Sequence, residues 1–388
     1  MGLVYKGGRT VGPSILTYLT HKQHIYTLSQ QSRFIHLSEN SPKYGPLVRL
    51  WGFDKSQLPK EGATGEELKP LLTSLLLEAL PFIAGIPAGQ TAAAGSDWKP
   101  RGIKTYPHST APVDIYERVV AAQDLQDVAG RNGRRLPQLG GQGAGKVPAE
   151  HWFMRRSTHE DEAADGTASW AEWVRSFKDE HAEAEKRFTP TVVGTEVLRE
   201  WDCAGVEVEV EVEALPDGQQ SSSSSSSSWS DWTLKLEQST HKMPAPLKPR
   251  LFPVLQATAS RAGRRELLVV QVAYRDLDLE ARGAKDHVRA SYTSVERLRE
   301  VDGGRSVEWV MATASDAKGL LPAWVQRPAM PGAVAKDVDM FLEWAARQRQ
   351  EGTRGTDQEA LVSGAVAVDE ENSSNGGDVD KQGQDKGP

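Results

Sequence analysis

Val206-Glu207-Val208-Glu209-Val210-Glu211-Val212-Glu213 alternates one apolar with one charged residue without a break. Successive side chains of a strand point to opposite faces, so this run reads as a strand with one dry face and one wet face. A sheet that is wet on one side is usually antiparallel. Trp232, Leu234 and Leu236 alternate with Thr233, Lys235 and Glu237 and resume the sheet on the far side of a serine homopolymer, Ser221–Ser228. Low-complexity serine reads as a disordered hairpin loop.

Working outward, Leu267–Tyr274 is an apolar strand bounded by charged residues. Val288–Val295 and Val307–Thr313 are two more, with Asp302-Gly303-Gly304 as the turn that links them. His151-Trp152-Phe153-Met154 is a short strand upstream. Before and after these strands the period is 3.6. Leu68, Leu71, Leu72, Leu75, Leu76, Ala79 and Leu80 mark a helix with Pro70 in its first turn and Pro81 at its end. Ser169 and Glu172 form a capping box, and Trp170, Trp173, Val174, Phe177 and Phe188 mark one face behind it. The run Lys178–Arg187 reads as charged and solvated, and Thr189-Pro190 as the stop. After Pro331, Val334, Val338, Phe341, Leu342 and Ala345 make an amphipathic helix to about Gln350. Helices flanking hairpin-linked strands indicate an α+β fold with an antiparallel sheet, not a doubly wound one.

The expected organisation is a flexible extension at 1–45, one cooperative domain at 46–350, and a disordered acidic tail at 351–388. Disordered insertions are expected near 88–100, 131–146 and 217–230, which are rich in Gly, Pro, Ala or Ser. The net charge of -7 argues against a nucleic-acid partner. Cys203 is the one cysteine, which rules out an internal disulfide and a cysteine-based zinc site and fits a reducing compartment. The apolar run Leu71–Pro87 falls short of the roughly 20 residues of a membrane span. The first 38 residues contain no Asp or Glu. A mitochondrial transit segment is therefore the alternative to a cytoplasmic location, although Gly7, Gly8, Gly12 and Pro13 interrupt any early helix.

Several motifs weaken under inspection. Gly140-Gly141-Gln142-Gly143-Ala144-Gly145-Lys146 resembles a phosphate-binding loop, but Val147 follows where Ser or Thr is needed and Pro148 disturbs the helix start. His159-Glu160-Asp161-Glu162 offers metal-ligand types, yet chain neighbours rarely converge on one ion without a distant partner, so it reads as an acidic lead-in to the capping box. Cys203 sits beside Asp202, which works against thiol activation. No nucleophile elbow, zinc-protease motif or dinucleotide fingerprint is present, and no cofactor is implied.

Glu150–Ser157, Gly166–Trp170, Met311–Asp316, Leu321-Pro322, Trp324–Gln326 and Pro331–Val338 resemble the START-like (StAR-related lipid transfer, helix-grip) domain family of fungi, over roughly residues 46–350. The resemblance implies an antiparallel sheet curled around a long C-terminal helix, with a lipid-sized tunnel between them. It implies a filamentous-fungal source but little about the ligand; the expected partner is a hydrophobic small molecule of the lipid class, with transient membrane contact. The candidate tunnel residues are Trp152, Trp232, Trp309, Met311, Trp324, Val334, Val338, Phe341 and Leu342. Three functions compete: a non-catalytic lipid binder or carrier, an enzyme with Glu308 and His241 as the nearest candidates, and a scaffold without a ligand. A dry tunnel favours the first, a wet polar pocket the second and a filled core the third. Substituting Lys146→Ala is expected to leave stability and ligand binding unchanged; ATP binding that disappears in the variant would overturn this.

Overall fold

The computed structural model describes residues 44–84, 96–132, 148–212, 225–276, 286–318, 327–373 and 387. Its elements in chain order are β1 (Phe53–Asp54), α1 (Gly65–Ile83), β2 (Lys99–Lys104), β3 (Val113–Val120), α2 (Ala122–Arg131) and β4 (Glu150–Glu160). Then come α3 (Trp170–Val174), a π-helical turn (Arg175–Asp179), α4 (His181–Phe188), β5 (Val192–Trp201), β6 (Val208–Val212), β7 (Ser225–His241) and β8 (Arg250–Arg261). The chain continues through β9 (Glu266–Arg275), β10 (Val288–Arg289), β11 (Ser291–Val301), β12 (Ser306–Asp316) and α5 (Met330–Ser373). The sheet runs β2-β3-β4-β12-β11-β9-β8-β7-β5, and β6 adds to β7. Every neighbouring pair along that path is antiparallel, with two-residue parallel pairings of β1 to β9 and β10 to β8 at its margin. With α5 laid across one face, this is the α+β helix-grip arrangement.

The central strands β8, β9 and β12 are buried on both faces. Leu268, Val270, Val272, Val310, Ala312 and Ala314 meet α1 and the segment around Trp51 on the outer face. Two carboxylates strap that segment down. Glu78 of α1 accepts hydrogen bonds from the backbone N–H groups of Leu47 and Val48, both at 2.9 Å. Glu150 accepts from Leu50 N–H at 2.8 Å and from Trp152 Nε1 at 3.0 Å. On the inner face α5 buries Val338, Phe341, Leu342, Trp344 and Ala345 against Trp173, Phe177, Phe188, Leu298 and Trp309. The rings pack edge to face and tilted; Phe341 lies 4.6 Å from Trp173 and 5.0 Å from Phe177, centroid to centroid.

Several expectations need correction. Ser225–Ser228 is not loop: it pairs with Glu209–Val212 of β6, because a ladder is built from backbone groups and needs no particular side chain. Residues 213–224 lie outside the described residues. Within the 88–100 region, Trp98 is fully buried and donates through Nε1 to the Phe82 carbonyl, and Lys99 and Pro100 open β2. The loop expected at 131–146 has only its first two residues described, at the end of α2. The helix expected over 169–188 is broken into α3, the π-turn and α4, and α1 runs two residues past Pro81. The closing helix does not stop near Gln350 but extends to Ser373; no proline interrupts 332–373, and Ala, Glu, Gln and Leu favour the helix. Strands β5 and β8 were not anticipated.

The core under α5 is solid at Ala345, which is 3% exposed. Phe341→Ala is expected to cost about 3–5 kcal/mol of unfolding free energy. Ala345→Phe is expected to cost about 1–3 kcal/mol through overpacking. Chemical denaturation measures both, and an Ala345→Phe protein as stable as its parent contradicts the packing described.

Candidate functional site

Strand alternation puts Arg155 of β4, Met311 and Thr313 of β12, Tyr292 and Glu296 of β11 and Gln271 of β9 on the inner face. They sit beyond the end of the aromatic cluster. The π-turn and α4 supply Ser176, Phe177, His181, Glu185 and Phe188, and the first turns of α5 supply Met330, Ala333, Val334 and Asp337. Together these residues line a half-open cavity of about 270 Å³. A recess of about 60 Å³ continues from it, sharing Glu185, His241, Gln271 and Tyr292 and adding Glu237 and Phe252.

The cavity has two chemistries. Phe177, Phe188, Met311, Met330 and Val334 give it apolar surface, and Met311 stands between Arg155 and Glu296 in strand register. Arg155, 2% exposed, lies 3.6 Å above the Trp309 ring centre. Its Nη2 donates to Glu296 Oε1 at 3.1 Å, and its Nε stands 4.0 Å from Asp337 Oδ2. Trp309 Nε1 donates to the same Glu296 Oε1 at 2.6 Å, and His181 Nε2 is 3.9 Å from Oε2. The Nε and Nη1 of Arg155, Nδ1 of His181 and Oγ of Ser176 have no hydrogen-bond partner among the described residues. A buried polar atom without a partner is costly.

Titration follows from this packing. Burial opposes the charge of Glu296, but His181, Arg155 and Trp309 N–H hold it below the usual carboxylate range. Burial also opposes charge on His181, yet Glu296, Glu185 and Glu237 raise it above an ordinary histidine. Burial, then the charges of Glu185 and Glu296, push Asp337 up to about 7 against the pull of Arg155. Glu185 is raised by burial and further by Glu237 and Glu296. Burial takes His241 down to about 4, leaving it neutral.

Of the residues expected to line a tunnel, Met311 and Val334 do so. Trp309, Val338, Phe341 and Leu342 share the inner face but belong to the solid cluster beside the cavity. Trp152 and Trp232 lie in the core on the opposite face of the sheet, because their strand parity points them toward α1. Trp324 lies outside the described residues. Among the described residues this cavity is smaller than a two-chain lipid needs, and its lining is partly polar. Glu308 is buried on the outer face, held by Arg156 at 2.6 Å and Arg299 at 2.7 Å, and takes no part in the cavity. His241 lines both cavity and recess. His159 is buried against Trp173, with Ser157 at 2.8 Å from its Nε2. Cys203 is buried, and burial followed by Asp202 pushes its thiol to about 11. The polar lining of the cavity went unnoticed in the sequence, although Phe177, His181, Ala184, Glu185 and Phe188 are spaced as one helical face.

The family described as "Protein of unknown function (DUF3074)" matches residues 152–345, the span that contains every cavity residue named above. No curated protein matches the chain. Among solved structures, the chain is similar to human STARD10 at 11% identity, over 70% of this chain and 85% of that one, with a TM-score of 0.41. Human StAR-related lipid transfer protein 5 is similar at 13% identity, over 66% and 89%, with a TM-score of 0.39. A STAR-related lipid transfer protein fragment from Xanthomonas axonopodis is similar at 14% identity, over 65% and 98%, with a TM-score of 0.33.

The raised carboxyl of Asp337 fixes the sign of a pH effect. An unfolded chain releases this proton near 3.8, whereas the folded protein holds it to about 7. Between those values the folded state binds more protons, so this group's contribution to stability falls as pH rises. Asp337→Asn removes the titration. Its melting temperature is expected to gain on the parent's from about pH 4 to about pH 8. A parent–variant offset that stays constant across that window contradicts the assignment.

Proposed function

We propose that this chain, which belongs to the DUF3074 family, binds a compact amphipathic molecule of lipid character in the cavity between its sheet and α5. The observation that carries the reading is the mixed lining of one half-open cavity. Phe177, Phe188, Met311, Met330 and Val334 supply apolar surface, and Arg155, His181, Glu296 and Asp337 supply hydrogen-bonding groups. Ligand sites generally join apolar walls to a few placed polar groups. The apolar wall shields a hydrocarbon part from water, and the unpartnered N–H groups of Arg155 take an acceptor oxygen of the ligand. At about 270 Å³ the cavity lies below the usual range of roughly 300–1,000 Å³ and favours a single chain or a small ring system over a two-chain phospholipid. Carriage of such a molecule to or from a membrane is the use this reading supports.

A second reading has one specific observation behind it. Asp337 titrates near 7 inside the cavity, where it can give or take a proton at neutral pH. An acid–base enzyme on this fold places its substrate against that carboxyl. Mass spectrometry of molecules that co-purify with the protein separates the two: a binder returns its ligand unchanged, an enzyme returns product. Val334→Trp is expected to fill the cavity and abolish uptake of a fluorescent single-chain lipid while the melting transition remains cooperative. Failure of the parent protein to take up any single-chain or sterol-like probe defeats the binding reading.

A further inference from the structure

The recess at the end of the cavity differs from the rest of it. Glu185, Glu237, His241, Gln271, Phe252 and Tyr292 surround about 60 Å³, and no lysine or arginine lines it among the described residues. At roughly 30 Å³ for each water, that space suits a small terminal group of about two heavy atoms.

Glu237 is the decisive side chain. It is 7% exposed. Gln256 Nε2 donates to its Oε1 at 2.9 Å, and its Oε2 has no hydrogen bond within 3.5 Å among the described residues, the Gln271 side chain standing nearby. A buried carboxylate oxygen without a donor is expensive to keep. Glu185 faces the same space from α4. His241 cannot serve as the cation, because its Nε2 is engaged with Ser239 Oγ at 3.1 Å and burial keeps its ring neutral. Lys235, on the same strand as Glu237, is turned to Glu200 at 3.3 Å. The rings of Phe252 and Tyr292 complete the wall, and aromatic rings tolerate or attract a cation.

We propose that this recess receives a primary ammonium group, so that the ligand is an amphipathic amine whose cationic end lies between Glu185 and Glu237. This rests on the binding reading above and narrows it. Burial raises both carboxyls and Glu237 raises Glu185 further, while His181 in the neighbouring cavity pulls both down, so a cation between them extends a compensation that His181 only begins. Three N–H donors of an ammonium match the open Oε2 of Glu237, the second carboxylate and the side-chain oxygens nearby. An anionic headgroup meets the opposite situation, since it would stand against two carboxyls with no basic side chain in the recess.

The test compares dodecylamine, 1-dodecanol and lauric acid as competitors of a fluorescent single-chain probe, using the full chain. The parent protein is expected to bind dodecylamine about tenfold more tightly than dodecanol, the increment of one charge-assisted hydrogen bond. In Glu237→Gln that preference is expected to fall to within about twofold of parity. Glu185→Gln provides a second variant, with circular dichroism to show that each folds. Equal binding of amine and alcohol by the parent, or a preference that survives both substitutions, overturns the ammonium site and leaves the binding reading standing. Binding of none of the three probes overturns both.

Discussion

One guanidinium organises the inner face of this sheet. Arg155 leaves β4, lies flat over Trp309 of β12, bonds Glu296 of β11 and faces Asp337 of α5. Four elements thus meet at one buried charge. Taking that charge out of water costs several kcal/mol unless partners compensate it. Glu296 supplies the countercharge, and Trp309 helps twice, giving its ring face to Arg155 and its Nε1–H to Glu296. The arrangement is sparing rather than complete, because two nitrogens of Arg155 stay unpartnered among the described residues. A group so placed prevents the inner face from closing into a dry core, and the cavity opens where it stands.

Burial on both faces explains what the sequence displays and what it conceals. A strand covered on both sides loses its alternation, so β9 reads as a continuous apolar run. Toward the margin, at β6 and just before it, one face stays wet, with Val206, Val208 and Val210 buried and Glu207 and Glu209 exposed. That margin made the sheet visible from sequence, and the capping box at Ser169 and Glu172 made the helix before it visible. Strand β8 stayed hidden because Pro253, Gln256, Thr258 and Ser260 break its apolar pattern. The serines of β7 stayed hidden because a ladder shows no side-chain signature.

The candidate site was harder to read for a related reason. Aromatic residues were the natural suspects for a cavity wall, yet rings pack well against one another and close space rather than hold it open. Groups that hold space open are those with unmet hydrogen-bonding needs. In sequence they look like ordinary surface charge: Glu185 stands in a run that reads as solvated, and Asp337 in an otherwise unremarked helix turn. Parity along β4, β11 and β12 places Arg155, Glu296 and Met311 together, but the register that aligns them comes only from pairings such as Glu296 with Met311 and Met311 with Arg155.

The closing helix divides its labour along its length. From Val338 to Ala345 it is anchored in the aromatic cluster, where Val338, Phe341, Leu342, Trp344 and Ala345 are buried and Met340 is partly so. From Met330 to Asp337 it forms one wall of the cavity, held there by Val334 against Phe153 and Met311 and by the long Asp337 contact to Arg155. The first turns are tied down less heavily, by that small cluster, by Ala335 against the aromatic residues and by the long ion pair, whereas the rings around Phe341 hold the rest of the helix in register. The solid half of the helix thereby fixes where Val334 and Asp337 stand over the cavity.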